Sequence, residues 1–362
     1  MKKNKICPTW VKAAILFAAI SIIVYFTAVN FHSFADLVNS TVSVAIRIFM
    51  SSLTYIFPFS VFELLIISLL PIAVLLTVIS VKQRGKGAEP MRVIFSLFGI
   101  VSLIFSSYVF MLGVGYRTTP LADRIGIEDS ENISKDELYR TVLTVRDELN
   151  YLADRVSFDG NESVMPYSVR ELSAKIVDAY DTLNREYDLV TNFESRAKPV
   201  YFSTVMSDLR ITGIYSFFTG EANVNVEYPD YGLPFTVAHE MAHQRGICRE
   251  NEANFVAFLV CIGSDDEFIR YSGYLNLYEY LASALIRADR ELYLDVLSGL
   301  SEVAISDIRA SNAVYNSHKD SPLGEINEKA NDTYLKLNGT QGTVSYGYVV
   351  RLAVSYYEEK TE

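Results

Sequence analysis

The segment His239-Glu240-Met241-Ala242-His243 holds two of the four histidines in a chain of 362 residues. On a helix, positions i and i+4 lie one above the other, so His239 and His243 can converge on one cation with Glu240 beside it. The chemistry this offers is hydrolysis. A bound Zn2+ would polarise a carbonyl and acidify water, while Glu240 takes a proton from that water and passes it to the leaving amine. The bland alternative is an amphipathic helix with two incidental histidines, and the scarcity of histidine argues against it.

A catalytic zinc needs a third protein ligand and one open position. His32 lies near the hydrophobic N-terminal segments and His318 is the only other histidine in the large C-terminal part, so a carboxylate is expected. Glu250 and Glu252 open a strongly apolar stretch that continues to Val260 and reads as a second helix. Two residues apart on a helix, their directions differ by about 200°, so they cannot both face one cation. Glu250 has Asn254 at i+4, suited to hydrogen-bond a ligand histidine, and the small Ala253 at i+3; Glu252 has Val256 at i+4. The first helix also has its punctuation: Leu233-Pro234 at the start, an apolar body, and Gly246 at the end.

An HExxH motif followed by a helix opening Glu-x-x-Ala-Asn, here Glu250, Ala253 and Asn254, resembles the gluzincins, the superfamily of thermolysin and of the membrane proteases that process prenylated proteins. The fuller run His-Glu-x-Ala-His-Gln-x-Gly, then Glu-x-Glu-Ala-Asn-Phe, behind three hydrophobic segments, resembles a family of bacterial membrane proteins described only as a domain of unknown function. The resemblance implies a mainly α, zincin-like α+β soluble domain with zinc held by His239, His243 and Glu250. Two departures matter. The gap from His243 to Glu250 is much shorter than in thermolysin, which requires a tight turn at Gly246. The metzincin pattern HExxHxxGxxH is matched through Gly246 but has Arg249 where its last histidine would stand, and arginine cannot ligate a cation. In gluzincins a sheet-edge strand preceding the motif pairs with the substrate backbone. The alternating segment Gly213–Val226 is the candidate, with Asn223 and Asn225 unusual on a buried face.

The elements that must position this site follow a different kind of sequence. Through Gly115 there are nine Lys and Arg against three Asp and Glu, whereas the whole chain carries a net charge of -11. A hydrophobic anchor at 1–115 therefore precedes an acidic soluble domain at 116–362. Three segments qualify as membrane spans: Trp10–Val29, Phe57–Val81 and Val93–Gly115. Glu63, near the start of the second span, is expected at the interface. Lys2, Lys3, Lys5 and Lys12 flank the first span, and Lys82, Arg84, Lys86 and Arg92 fill the second loop, while the first loop holds only Arg47. The positive-inside tendency places the N-terminus in the cytoplasm and the zinc domain outside. Partners are then the lipid bilayer and a peptide or protein substrate; no basic face suggests nucleic acid.

In the soluble part, helical spacing appears over Ser134–Val156, Ser168–Tyr187 and Asp265–Arg309, with Ser134 and Glu137 forming a capping-box pattern. The run Val349–Tyr357 is too short for a fourth span and reads as a packed helix. A phenol or imidazole opposite the zinc is expected to stabilise an oxyanion, and Tyr334, Tyr346 and His318 are the candidates. Cys248 and Cys261 are expected as free thiols. The leading expectation is a membrane-anchored, outward-facing zinc metallopeptidase. A zinc amidase acting on cell-wall material and a non-catalytic, zinc-stabilised receptor or scaffold are the alternatives; a closed four-ligand site would favour the scaffold.

Overall fold

Leu, Ile, Val and Phe crowd the first third of the chain, and where such residues meet lipid the backbone must satisfy its own hydrogen bonds, which favours helices. The computed structural model describes residues 7–82, 90–130, 132–160, 162–340 and 346–360, of which 70, 73, 75–82, 90 and 346 by backbone alone. It is mainly helical, with a few small sheets. Two units are distinct: Met1–Thr118 with Ser216–Glu221, and Thr119–Tyr215 with Ala222–Glu362.

The first unit contains α1 (Thr9–Asn30), α2 (His32–Val38), α3 (Val44–Tyr55), α4 (Val61–Lys82) and α5 (Pro90–Tyr108). A π-helical turn, Asn39–Ser43, joins α2 to α3, and another, Val109–Gly113, extends α5. Among the described residues, three stretches are long and apolar enough to cross a membrane: Thr9–Asn30, His32–Tyr55 and Met91–Gly113. The protein is membrane-anchored. The first and third stretches correspond to the expected spans starting at Trp10 and Val93. The expected span Phe57–Val81 falls on α4, a 22-residue helix that continues through Pro71. Glu63 stands in its first turn, where Ser60 Oγ accepts its backbone N–H.

His32–Tyr55 falls in the expected loop between the first two spans, its apolar run interrupted by Asn39, Ser40, Thr41, Ser43 and Arg47. The structure makes it one helical stretch and turns the polar residues inward. Asn39, Ser43, Arg47, Ser51 and Thr54 are buried, while Leu37, Val42, Phe49 and Leu53 are exposed. Arg47 donates to the side-chain oxygen and the carbonyl of Asn39, both at 2.9 Å, and to the Met111 carbonyl at 3.5 Å. An apolar outside and a hydrogen-bonded polar inside is what a lipid-facing helix requires.

Helices α1 and α5 run in the same direction. Trp10 and Val11 lie against Gly99, Phe17 stacks on Phe110, and Tyr25 reaches Gly113 and accepts a hydrogen bond from Arg117. A Cβ on Gly99 would lie 2.6 Å from the Trp10 ring, so only glycine allows this approach. The segment Ser216–Glu221 inserts between helix ends. The buried Glu221 carboxylate accepts the N–H groups of Val61 and Phe62 at 3.0 and 2.7 Å, capping α4. Ser107 donates to the Phe217 carbonyl at 2.9 Å. The start of α4 and the end of α5 therefore meet the same six residues.

The second unit continues with α6 (Leu121–Ile125), α7 (Lys135–Ala153), β1 (Phe158–Asp159), β2 (Glu162–Ser163), α8 (Val169–Tyr187), β3 (Lys198–Pro199), α9 (Ser203–Asp208), β4 (Gly213–Ser216) and β5 (Glu221–Val224). It ends with α10 (Gly232–Gln244), α11 (Glu250–Ile262), α12 (Glu267–Ala288), α13 (Arg290–Ser298), α14 (Glu302–His318), α15 (Pro322–Leu337) and α16 (Tyr346–Glu359). Capping boxes start both α7 and α8, at Ser134 with Glu137 and at Ser168 with Glu171. Val142, Val145, Leu149, Leu172, Ile176 and Tyr180 from these helices join a core with α10, α11, α12 and α16. The run from Val349 lies within α16, with Val349, Leu352, Ala353 and Val354 buried in that core. Strands β1 and β2 form a small antiparallel pair, and the other sheet has the order β3-β5-β4, with β3 parallel to β5. Strand β4 is thus terminal. Cys248 and Cys261 are buried free thiols.

Candidate metal centre

The HExxH residues lie on α10, whose placement is set from behind. Tyr180 Oη donates to the Ala238 carbonyl at 2.7 Å, and the Arg245 guanidinium is buried, stacked over the Tyr180 and Phe193 rings. Arg245 also donates to the side chain of Asn192 at 2.6 and 2.8 Å and to the Phe193 carbonyl at 2.9 Å. Gly246, at φ 96°, then makes the turn that a side chain would strain. Helix α11 begins at Glu250 and packs along α10. The short connection that departs from thermolysin therefore closes without lengthening either helix.

Across these two helices, His239, His243 and Glu250 converge, with one ligand atom from each within 4.8 Å of the others. Nε2 of His239 lies 3.2 Å from Oε2 of Glu250, and Nε2 of His243 lies 3.5 Å from the same oxygen. Ligands at about 2.0–2.1 Å from a tetrahedral zinc are separated by roughly 3.3 Å, so these spacings fit such an ion. Nδ1 of His243 is 2.8 Å from the Ile247 carbonyl, which fixes that nitrogen as the N–H and turns the lone pair of Nε2 toward Glu250. Nδ1 of His239 is buried with no partner among the described residues.

Glu240 is buried beside this trio. The Tyr215 backbone N–H donates to its carboxylate, while Oε2 has no hydrogen-bond partner among the described residues. Burial raises its pKa, and His239 and His243 oppose that rise. At Glu250 burial pushes the same way, but the two imidazoles facing it win and hold the carboxyl well below the usual carboxylate range. Burial would lower His243; instead Glu250 and Glu240 raise it to about 9. The trio thus attracts positive charge strongly, and a cation binding there displaces a proton.

Gly213 on β4 makes the close approach of strand to helix possible. A Cβ there would fall 2.5 Å from Glu240 Oε1 and 2.7 Å from Thr236 Cγ2. Neither this glycine nor the Ile247 carbonyl was singled out from the sequence. The first has a signal in principle, a glycine inside an alternating strand, whereas a backbone carbonyl has none.

Other expectations are relocated. Glu252 is buried away from the trio, paired with Arg249 at 2.7 Å and accepting the Leu121 N–H at 3.0 Å. Asn254 makes no hydrogen bond to either histidine among the described residues; the Ile247 carbonyl takes that role. Asn223 and Asn225 serve the fold, donating to the Ile214 carbonyl at 3.1 Å and to Ser207 and the Ile211 carbonyl at 2.9 and 3.0 Å. His318 has Asp208 at 2.8 Å on Nδ1 and Glu227 at 3.3 Å on Nε2, so both ring nitrogens are engaged by carboxylates. Tyr334 lies on α15, and the Tyr346 side chain is outside the described residues.

Residues 39–354 match the model of the family described as Protein of unknown function (DUF3810). The chain belongs to that family. The match includes α10 and α11, so His239, His243 and Glu250 lie inside the family's own segment. No curated protein and no solved structure matches the chain.

Proposed function

We propose that the second unit of this DUF3810 member is a gluzincin-like zinc metallopeptidase with His239, His243 and Glu250 as ligands and Glu240 as the general base. The observation that carries it is the shared focus of two Nε2 atoms on one Glu250 oxygen at 3.2 and 3.5 Å, with the buried Glu240 carboxylate adjoining. Three donors of this N/N/O type leave a zinc one open position, which favours catalysis over a closed scaffold site. Zinc, when bound, supplies Lewis-acid polarisation and an acidified water. Glu240 has a free oxygen to receive a proton and is held by the Tyr215 N–H, which orients it without filling that oxygen. The terminal strand β4 offers an edge for an extended peptide, beside the base it contacts through Gly213. Metal analysis of the detergent-solubilised protein with cleavage profiling on a peptide library tests this reading. Glu240→Gln is expected to keep one zinc per chain while hydrolysis falls at least a hundredfold. Loss of zinc in that variant, or full activity, overturns the assignment.

The catalytic unit is proposed to lie outside the cytoplasm. Because α1 and α5 run in the same direction, an odd number of crossings must separate them, and α2–α3 and α4 are the two segments available. Helix α4 starts beside the Ser216–Glu221 segment that also meets the end of α5, so it returns across the bilayer. The His32–Tyr55 stretch then starts and ends on the outer side; Asn39 and Arg47 bind one another, and Arg47 reaches Met111 near the end of α5. With Lys2, Lys3 and Lys5 before α1 and Lys12 in its first turn, three crossings would put the N-terminus inside and residue 119 onward outside.

A further inference from the structure

His318, at the end of α14, stands between two carboxylates. Its Nδ1 lies 2.8 Å from Asp208 Oδ1 on α9, and its Nε2 lies 3.3 Å from Glu227 Oε1 beyond β5. The ring is 12 % exposed. A neutral imidazole carries one N–H, so it satisfies one of these oxygens and turns a lone pair on the other, whereas the imidazolium donates to both. The hydrogen bond to Asp208 and the charge of Glu227 accordingly raise its pKa above the ordinary imidazole value, with burial opposing them. Glu227 Oε2 is buried with no hydrogen-bond partner, and the ion pair of Glu227 among the described residues is with His318.

Both carboxylates stand on segments that anchor β4. From Asp208 the chain turns through Arg210, at φ 58°, and enters the strand at Gly213. Asn225 ties the two segments together: its N–H donates to the Thr212 carbonyl at 2.8 Å, its Nδ2 donates to Ser207 and to the Ile211 carbonyl, and its Oδ1 accepts the Glu227 N–H at 2.9 Å. The strand held in this way lies against Glu240 at Gly213 and donates to its carboxylate from Tyr215. Around the ring, Arg210 donates to Glu328 and to the Lys319 carbonyl and sits over the Tyr315 ring, with Glu325 nearby, and Tyr228 follows Glu227. Among these side-chain types only the imidazole titrates between the carboxylate and phenol ranges.

We propose that His318 is a positioning residue: as a cation it clamps Asp208 and Glu227 together and so holds β4 against Glu240, and its deprotonation releases the strand. The neutral ring turns a lone pair on one carboxylate and leaves Glu227 without its neutralising charge, which opens the clamp. Because the folded-state pKa is raised, the contribution is fully present below the ordinary imidazole value of 6.5 and is lost as pH rises through the raised one. None of the three residues lies on α10 or α11. The effect on hydrolysis rests on Glu240 as the general base; the clamp itself does not.

Hydrogen–deuterium exchange on the full-length protein in detergent, corrected for the intrinsic pH dependence of exchange, reads the clamp without requiring hydrolysis. Amides of residues 211–215 are expected to lose protection at least tenfold between about pH 6.5 and about pH 9.5, while those of α12 keep theirs. His318→Gln should show the low protection at both pH values. Asp208→Asn, which removes one of the charges that favour the cation, should move the loss to lower pH; it carries the test with the wild-type chain if His318→Gln fails to fold. Peptide hydrolysis measured alongside should lose kcat with the same midpoint and an unchanged KM. Equal wild-type protection at both pH values, wild-type protection in His318→Gln at the lower one, or an unmoved midpoint in Asp208→Asn overturns the proposal. The expected exchange pattern in a protein without hydrolysis at any pH upholds the clamp and counts against the peptidase reading alone.

Discussion

At the scale of single residues, the two carboxylates at the start of α11 divide the work. Glu250 faces both imidazoles, and Glu252 is turned into the core with Arg249 and the Leu121 N–H. Their variants should therefore fail differently. Glu250→Ala is expected to lose zinc or bind it at least tenfold more weakly, because losing a ligand costs no less than losing an outer-shell partner. Glu252→Ala should retain zinc but lose about 1–3 kcal/mol of stability, since it strands a buried N–H and uncovers Arg249. Zinc titration beside thermal denaturation separates the two outcomes; weak zinc binding in Glu252→Ala with normal binding in Glu250→Ala would reverse the assignment.

Among elements, the pairing of strand β4 with helix α10 decides where the Glu240 carboxylate stands. The strand comes close because position 213 has no side chain, and its Tyr215 N–H then reaches the Glu240 carboxylate. A methyl group at 213 must displace either the strand or the carboxylate, for the clash at 2.5 Å is with Oε1 of Glu240, and moving that oxygen moves the free Oε2 with it. Gly213→Ala is expected to lower kcat at least tenfold with zinc content unchanged, read by single-turnover peptide hydrolysis and metal analysis. Unaltered kcat would show that β4 has no part in placing Glu240. The Asn223 and Asn225 side chains belong to this same sheet, but they bond to its own backbone and turns, so their burial reports folding rather than substrate recognition.

For the whole molecule, the parallel course of α1 and α5 makes topology a question of parity. A single accessible cysteine near Asp332 is expected to react with an impermeant maleimide in intact cells, and one near Gly85, a position outside the described residues, is not. Reaction at Gly85 alone would place the second unit in the cytoplasm and mean that the same three crossings are inverted, with the N-terminus outside.

What the sequence determined by itself was whatever depends on local spacing. The histidines four apart, the glycine that stops α10, the capping box of α7, and the long uncharged stretches each act within a few turns of one chain segment, and all are found as helices or helix ends. The tertiary structure decided everything that depends on which face meets which neighbour. The rotation of α11 against α10 turns Glu250, to which the sequence already pointed, and not Glu252 toward the two imidazoles, and the helical nature of His32–Tyr55 required partners that bury Asn39 and Arg47. The acceptor for His243 is a backbone carbonyl, which any residue at position 247 carries, so no side-chain code announces it. His318 was rare enough to look functional, yet Asp208 and Glu227, distant in sequence, occupy its ring. Such contacts join residues tens to hundreds of positions apart, and a periodic pattern along the chain holds no information about them.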